Sequence, residues 1–314
     1  MDLLSDVLHT LHMTGTLYFR TAFTAPWGVE VPAYQNVARF HYVQRGRCFV
    51  RVADANRAVC LEQGDLIIIT RGASHVLSDP SYVVAKTLDT VVEESGYQGQ
   101  GALVYGEAQT GHSTQLVCGH FSFDLGARHV LLDALPPYVH ISDFGKVSPL
   151  WLSDTLRLIS SEAGHGHLGS DYIALKLTEV IFAQAIRHYV DTHGKDQPGL
   201  AGFADTHIRR ALQAIHDKPD RAWSVEHLAT VAGMSRTRFA QQFNTLVGST
   251  PLAYLTAWRM QVARKLLAET DLPMIDVATQ SGYQSEASFG RIFKRFFDIP
   301  PAVYRRSVSQ RSER

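Results

Sequence analysis

The chain has 314 residues, 45% of them hydrophobic and 19% charged, with a formal net charge of zero. That length favours two domains over one, and the balance excludes a disordered or fibrous chain. The longest aliphatic run, Leu66–Ile69, is far too short to cross a bilayer, and the opening MDLLSDVLHTLHM carries acids where a secretory signal carries bases, so no membrane partner and a cytoplasmic location are expected.

From Thr16 to Leu88 the residues read as short β segments, LYFRTAF, ARFHYVQRG, CFVRVA and RAVCLEQGDLIIIT, in which apolar and polar positions roughly alternate. A further β segment, STQLVCGHFSFDLG, follows a glycine-rich stretch from Gly96 to Gly111. Closely spaced short strands predict a barrel or sandwich. Cys48, Cys60 and Cys118 form an odd, sparse set without CxxC spacing, which fits reduced thiols rather than a disulfide framework.

Beyond residue 145 the period changes. SPLWLSDTLRLISSE (149–163) and SDYIALKLTEVIFAQAIRHYV (170–190) repeat apolar residues at intervals of three and four, which predicts amphipathic helices. Leu175, Val180, Ile181 and Ile186 suit a helix pair, a homodimer seam or packing onto their own domain. Between the two helices, His165 and His167 in EAGHGHLGS have ligand-like spacing, although a solvent-exposed loop explains them as well. THGKDQPGLAGFADTH reads as a linker.

The remaining segment is helical and basic: from Ala201 to Arg314 there are 16 Lys and Arg against 10 Asp and Glu, an excess of +6 that the first 200 residues offset. In WSVEHLATVAGMSRTRFAQQFNTLVG, Ser224 and Ser235 stand as helix caps around a Gly233 turn. Val225, Leu228 and Val231 supply one apolar stripe, and Phe239, Phe243, Leu246 and Val247 the next. The opposite face offers Arg236, Thr237, Arg238, Gln241, Asn244 and Thr245, side chains able to bond base edges or phosphates. The pattern returns about fifty residues later in MIDVATQSGYQSEASFGRIFKRFFD, where Phe289, Phe293, Phe296 and Phe297 form the apolar face and Ser285, Ser288, Arg291, Lys294 and Arg295 point away. A helix from Thr250, with Leu252, Leu255, Val262 and Leu266 as its stripe, joins the two units. At about eighteen residues it spans roughly 27 Å, enough with the offset of the units to hold two recognition helices about one DNA turn apart.

The run IDVATQSGYQSEASFGRIFKRFFDIPPAVYRR resembles the signature of the AraC/XylS regulators, and the resemblance extends over about residues 205–306. It implies a double helix-turn-helix domain, recognition of promoter or operator DNA, regulated transcription and contact with RNA polymerase. By motif position, Thr237, Gln241 and Arg291 fall where family members contact bases, and Asp298 stands where glycine is commoner.

GDLIIITRGASHVLSD is similar to the second cupin motif, with Gly64, Gly72 and His75 in place, Thr70 where proline is usual and Asp79 where asparagine is usual. FHYVQRG resembles the end of the first cupin motif without its HxH pair, and Arg39 occupies the approximate place of its glutamate. The resemblance implies an α+β multidomain protein: a cupin-like β barrel that senses a small-molecule effector (1–145), a helical connector that serves contacts or dimerisation (146–200), and an all-α double helix-turn-helix domain (201–314). His41, His75, Cys118 and His120 are the candidate effector-binding residues, with His41 and His75 expected on neighbouring inner strands and Phe40, Tyr42 and Ile68 as apolar neighbours. No catalytic residue, metal ligand or cofactor is assigned, because the motif leaves only His75 as a clear ligand. Two alternatives stay open: a metal-dependent cupin oxygenase or isomerase with a DNA-binding tail, and a redox-responsive regulator using Cys118.

Overall fold

A computed structural model describes residues 1–53, 55, 57–99, 101–106, 112–144 and 168–312. The helix expected at 149–163, His165 and His167 lie outside the described residues. Two compact units emerge, and neither is continuous in sequence. One comprises Met13–Phe123 with Leu135–His188; the other comprises Met1–His12, Asp124–Ala134 and Tyr189–Arg314. The units interleave along the chain because the segments before the first strand and after the tenth pack with the C-terminal helices.

The first unit is built from two facing sheets. Among the described residues one sheet has the order β11-β6-β3-β10-β1-β9, using β1 (Thr14–Thr24), β3 (Val37–Arg45), β6 (Leu66–Ile69), β9 (Ala102–Tyr105), β10 (Ser113–Ser122) and β11 (Tyr138–Ile141). The other has the order β5-β4-β7-β2-β8, using β2 (Trp27–Val31), β4 (Arg47–Val52), β5 (Val59–Glu62), β7 (His75–Asp79) and β8 (Lys86–Thr87). The expected strands are present, while β2, β7, β8, β9 and β11 are additions that alternation alone did not mark. Gly72 permits the turn into β7: its φ is +60°, and a Cβ there would lie 2.2 Å from the Tyr34 carbonyl.

Strand alternation decides which side chains enter the space between the sheets. Phe23, Val29, Val31, Val43, Val50, Ile67, Ile69, Leu77, Leu103, Leu116 and Cys118 do so, joined by Val91 of helix α2 (Leu88–Ser95). Phe40, Tyr42 and Ile68 have the opposite parity, which corrects their expected place beside the candidate site. Phe40 stacks instead on Phe121 with ring centroids 5.1 Å apart, and Phe121 meets Phe182 at 4.5 Å. Phe182 belongs to a long helix that follows a short one at Val130–Asp133 (α3); this helix, α4, spans Ser170–His193. Its Ile181, Phe182, Ala185 and Ile186 are buried within the chain, each large apolar side chain contributing about 1.5–3 kcal/mol. Ile181 and Ile186 therefore serve the packing reading rather than an open seam.

The second unit is helical. After α1 (Leu3–Thr10) and α3 it continues through α5 (Ala201–Ala204), α6 (Thr206–Asp217), α7 (Val225–Ala232), α8 (Arg236–Val247), α9 (Pro251–Glu269), α10 (Met274–Gln280), α11 (Glu286–Phe297) and α12 (Pro301–Ser312). Local chemistry sets the boundaries. The Asp205 carboxylate accepts from the amides of His207 and Ile208 to start α6, Ser224 accepts from His227 to start α7, and Thr250 accepts from Ala253 to start α9 with Pro251 behind it. Gly233 ends α7 at φ +69°. Ser235 stands at the N-cap of α8 without making a side-chain cap bond.

Two stripes differ from expectation. Val231 is 38% exposed, and the small Ala232 is buried on α7 in its stead. On α9, Leu252 is 44% exposed, whereas Tyr254, Leu255, Trp258, Met260, Gln261, Ala263, Arg264 and Leu267 are buried. That helix is enclosed on more than one side, so its buried set includes a glutamine and an arginine that a hydrophobic stripe does not predict.

Candidate nucleic-acid interface and ligand cavity

Two helix pairs share one design. In α7–α8 the buried face of the second helix is Phe239, Phe243 and Val247; in α10–α11 it is Phe289 and Phe293, which contact Tyr283, Phe297 and Tyr304 through their rings. Burying these residues leaves the other side of each second helix open. Arg236, Thr237, Arg238, Gln241, Asn244 and Thr245 are exposed along α8, and Arg291, Lys294 and Arg295 along α11. This is the disposition of a helix offered to a DNA groove, with donors and acceptors for base edges and cations for phosphates.

Ser285 and Ser288 occupy a different position. The Ser285 hydroxyl accepts from the Ser288 amide at 3.3 Å, and the Ser288 hydroxyl donates to the Ser285 carbonyl at 2.9 Å. Both hydroxyls serve the first turn of α11, which orients Arg291 one helical turn further on. Asp298 ends α11 in the left-handed region at φ +62°. Asp enters that region more readily than most non-glycine residues, which accounts for its standing in a glycine position.

The second site is a small cavity between the two sheets. Its walls are Thr21, Phe23, Val29, Val31, Arg39, His41, Leu77, Leu88, Leu103, Leu116, Cys118 and Gly119, and its volume is about 20 Å³, room for about one water molecule. His41 and Cys118 of the expected set line it. His75 lies behind His41, and His120 falls outside the wall although it follows Cys118 at the same strand parity. His41 on β3 and His75 on β7 belong to opposite sheets, which corrects their expected placement on neighbouring strands.

Their hydrogen bonds form a chain whose direction is determined. His75 Nδ1 lies 3.0 Å from the Ala73 carbonyl, an acceptor only, so Nδ1 carries the proton and the Nε2 of neutral His75 accepts. The His41 Nε2–H donates to it at 2.8 Å. His41 Nδ1 is then the unprotonated nitrogen and accepts from the Cys118 thiol at 3.2 Å. Burial holds both imidazoles neutral: it lowers the His75 pKa to about 4 and takes His41 well below the ordinary histidine value, with the neighbouring His75 and Arg39 adding to the latter shift. Burial likewise pushes the Cys118 thiol up to about 12. None of the described His, Cys, Asp or Glu side chains converge in threes as a metal-holding group.

Comparison with known proteins follows this division. Residues 228–307 match a family model described as a helix-turn-helix domain, and residues 2–191 match one described as a cupin. A protein of Streptomyces lividans described as an AraC-like transcription regulator is 33% identical across 98% of both chains. The chain belongs to the AraC family of transcriptional regulators. Another relative of this AraC-family regulator is the HTH-type transcriptional regulator AlkR of Acinetobacter baylyi, 29% identical over 97% of this chain and 99% of that one. Among solved structures, the DNA-binding domain of AdpA in complex with a target DNA is 32% identical, covers 34% of this chain and 96% of its own, and has a TM-score of 0.32. The full-length relatives are regulators of transcription rather than enzymes. As an AraC-family member the chain is a DNA-binding protein, and among the described residues no helix is long and apolar enough to cross a membrane.

Sequence reasoning missed Arg39 and the apolar walls of the cavity. Arg39, which the motif marks only as standing in place of a glutamate, is 5% exposed and lines the cavity beside His41. The alternation of β3 puts residues 39, 41 and 43 on one face, and that signal was available.

Proposed function

We propose that this AraC-family regulator reads DNA with α8 and α11 and adjusts that reading when a small, largely apolar effector enters the cavity between the two sheets. The division of labour is sensing within 1–145, connection through 146–200 and DNA contact within 201–314. Arg236, Thr237, Arg238, Gln241 and Asn244 serve the first head, and Arg291, Lys294 and Arg295 the second. The observation that carries the sensing half is the cavity wall itself, mostly aliphatic and aromatic with Thr21, Arg39, His41 and Cys118 as its polar positions, a composition suited to a small-molecule pocket.

A cavity of about 20 Å³ has to widen to take more than a water. The wall best able to yield is formed by Leu88, the first residue of α2, and Leu103 on β9, a four-residue strand that among the described residues lies at the edge of its sheet and pairs with β1. An effector that binds the widened form better than the closed one shifts the regulator by that difference, about 1.4 kcal/mol for each tenfold change in DNA affinity.

Leu103→Phe tests this reading. The larger ring fills the cavity at a stability cost of about 1–3 kcal/mol, and the variant is expected to bind promoter DNA as the parent does while ignoring small apolar molecules that raise the parent's melting temperature. Retention of that response would place the effector elsewhere. The metal-dependent enzyme reading is disfavoured because the His41 and His75 lone pairs that would face a metal already accept hydrogen bonds. The redox reading is disfavoured because a thiol held near a pKa of 12 has almost no reactive thiolate at neutral pH.

A further inference from the structure

Arg264, on the helix between the two helix-turn-helix units, is fully buried, an expensive place for a permanent charge unless its donors are met. Nη1 donates to Asp124 Oδ2 at 2.8 Å, Nη2 to the Thr10 carbonyl at 2.7 Å, and Nε to Gln261 Oε1 at 3.1 Å. Two of these partners come from outside the C-terminal segment, one from each of the stretches 1–12 and 124–134 that belong to the helical unit.

The stretch 124–134 meets the second head directly, and the two stretches reach the first through α6 and α9. On the side of the second head, Gln261 donates to the Gly126 carbonyl at 3.3 Å, the Tyr304 hydroxyl of α12 donates to the Leu125 carbonyl at 3.2 Å, and a Cβ on Gly126 would sit 3.3 Å from the Phe297 ring of α11. On the side of the first head runs a second chain of determined direction. The Leu131 amide donates to His129 Nδ1, so His129 Nε2–H donates to the Tyr254 oxygen at 3.0 Å. The Tyr254 hydroxyl donates to His216 Nε2 at 2.7 Å, and His216 Nδ1–H donates to Asp6 at 2.9 Å. Tyr254 lies in the first turn of α9 and also meets Phe243 of α8, with ring centroids 5.9 Å apart. The brace thus holds α9 near both ends.

We propose that Arg264 is a positioning residue for DNA reading: gripped by Asp124 and Thr10, it fixes the linker helix α9 in the one setting that lets both helix-turn-helix units dock together. The inference rests on the two-headed reading above. When one rigid linker carries two heads, the second contact is intramolecular and gains a factor of about 10²–10⁴, which disappears where geometry forbids simultaneous engagement.

The experiment uses the full chain and duplexes selected from a random library by the wild type, each also prepared with either contacted segment scrambled. The wild type is expected to favour the intact duplex over either half by about a hundredfold or more. Asp124→Ala should cut that advantage about tenfold while leaving the affinity for each half-duplex in place, and Asp124→Glu, which keeps the carboxylate, should recover part of it. An equal fall on intact and half duplexes, or no change on either, would overturn the positioning role and leave the ion pair a purely structural one. Should Asp124→Ala not fold, Asp6→Ala, which releases only the His216 end of the brace, is read by the same ratio with the same two outcomes. A wild type that gains nothing from the second segment would remove the two-headed reading, and the proposal with it.

Discussion

The His41 Nε2–H donates a hydrogen bond to His75 Nε2 across the two sheets at 2.8 Å, and the one unprotonated nitrogen of each ring already accepts a hydrogen bond. Protonating His75 breaks the bond. Its folded-state pKa, about 4, lies below the 6.5 of an exposed histidine, so the unfolded chain takes up the proton first. Stability contributed by the neutral ring is therefore complete above about pH 6.5 and is lost as the pH falls towards 4, amounting to about 3 kcal/mol for His75 alone. Burial lowers His41, His129 and His216 in the same direction. Denaturant titrations at a series of pH values should show this acid limb, and His75→Phe should flatten it; an unchanged slope would mean that His75 is solvated.

Arg291 and Arg295 are both exposed on α11 one helical turn apart. Replacing Arg291 with Ala is expected to relax base preference at one position at a cost of about 1–3 kcal/mol, as for a bidentate contact with guanine. Replacing Arg295 should instead weaken all sequences alike and reduce the salt slope by about one unit. Selection from random duplexes followed by salt titration separates the two behaviours, and a uniform loss on Arg291→Ala would assign that side chain to the phosphate backbone.

Cys60 is exposed, whereas Cys48 and Cys118 are buried with thiols pushed well up by desolvation. Alkylation of the native protein near pH 8, read by mass spectrometry, should modify Cys60 alone and reach the others only after unfolding. Rapid modification of Cys118 in the folded protein would reopen the redox reading.

Asp124→Leu should lower the stability of the folded chain by about 3 kcal/mol, the lower end for stranding a buried charge because the carboxylate is itself partly exposed. Calorimetry of Asp124→Leu beside the wild type reads that loss, and a smaller fall would show that Arg264 finds another acceptor.

Much of the fold was legible because it rests on local signals. Ser224, Gly233 and Thr250 mark helix ends by short-range bonding, and the spacing of Phe239, Phe243, Phe289 and Phe293 marks the buried faces of α8 and α11. The candidate site was legible in part. His41 and Cys118 were found, but the partners facing each other across the sheets were not, since pairing between layers leaves no period in the sequence. Phe40, Tyr42 and Ile68 were misplaced by one step of strand parity. Arg264 escaped altogether: an arginine in an amphipathic helix reads as surface until Asp124, 140 positions earlier, is known to lie against it.

The interleaving of the two units bears on how such regulators exchange parts. A crossover near residue 200 grafts one protein's reading heads onto another's sensor. It would also inherit Arg264 without its own Asp124, so a hybrid with an apolar side chain at position 124 leaves a buried cation without its carboxylate. Viable chimeras should be those in which positions 124 and 264 travel together.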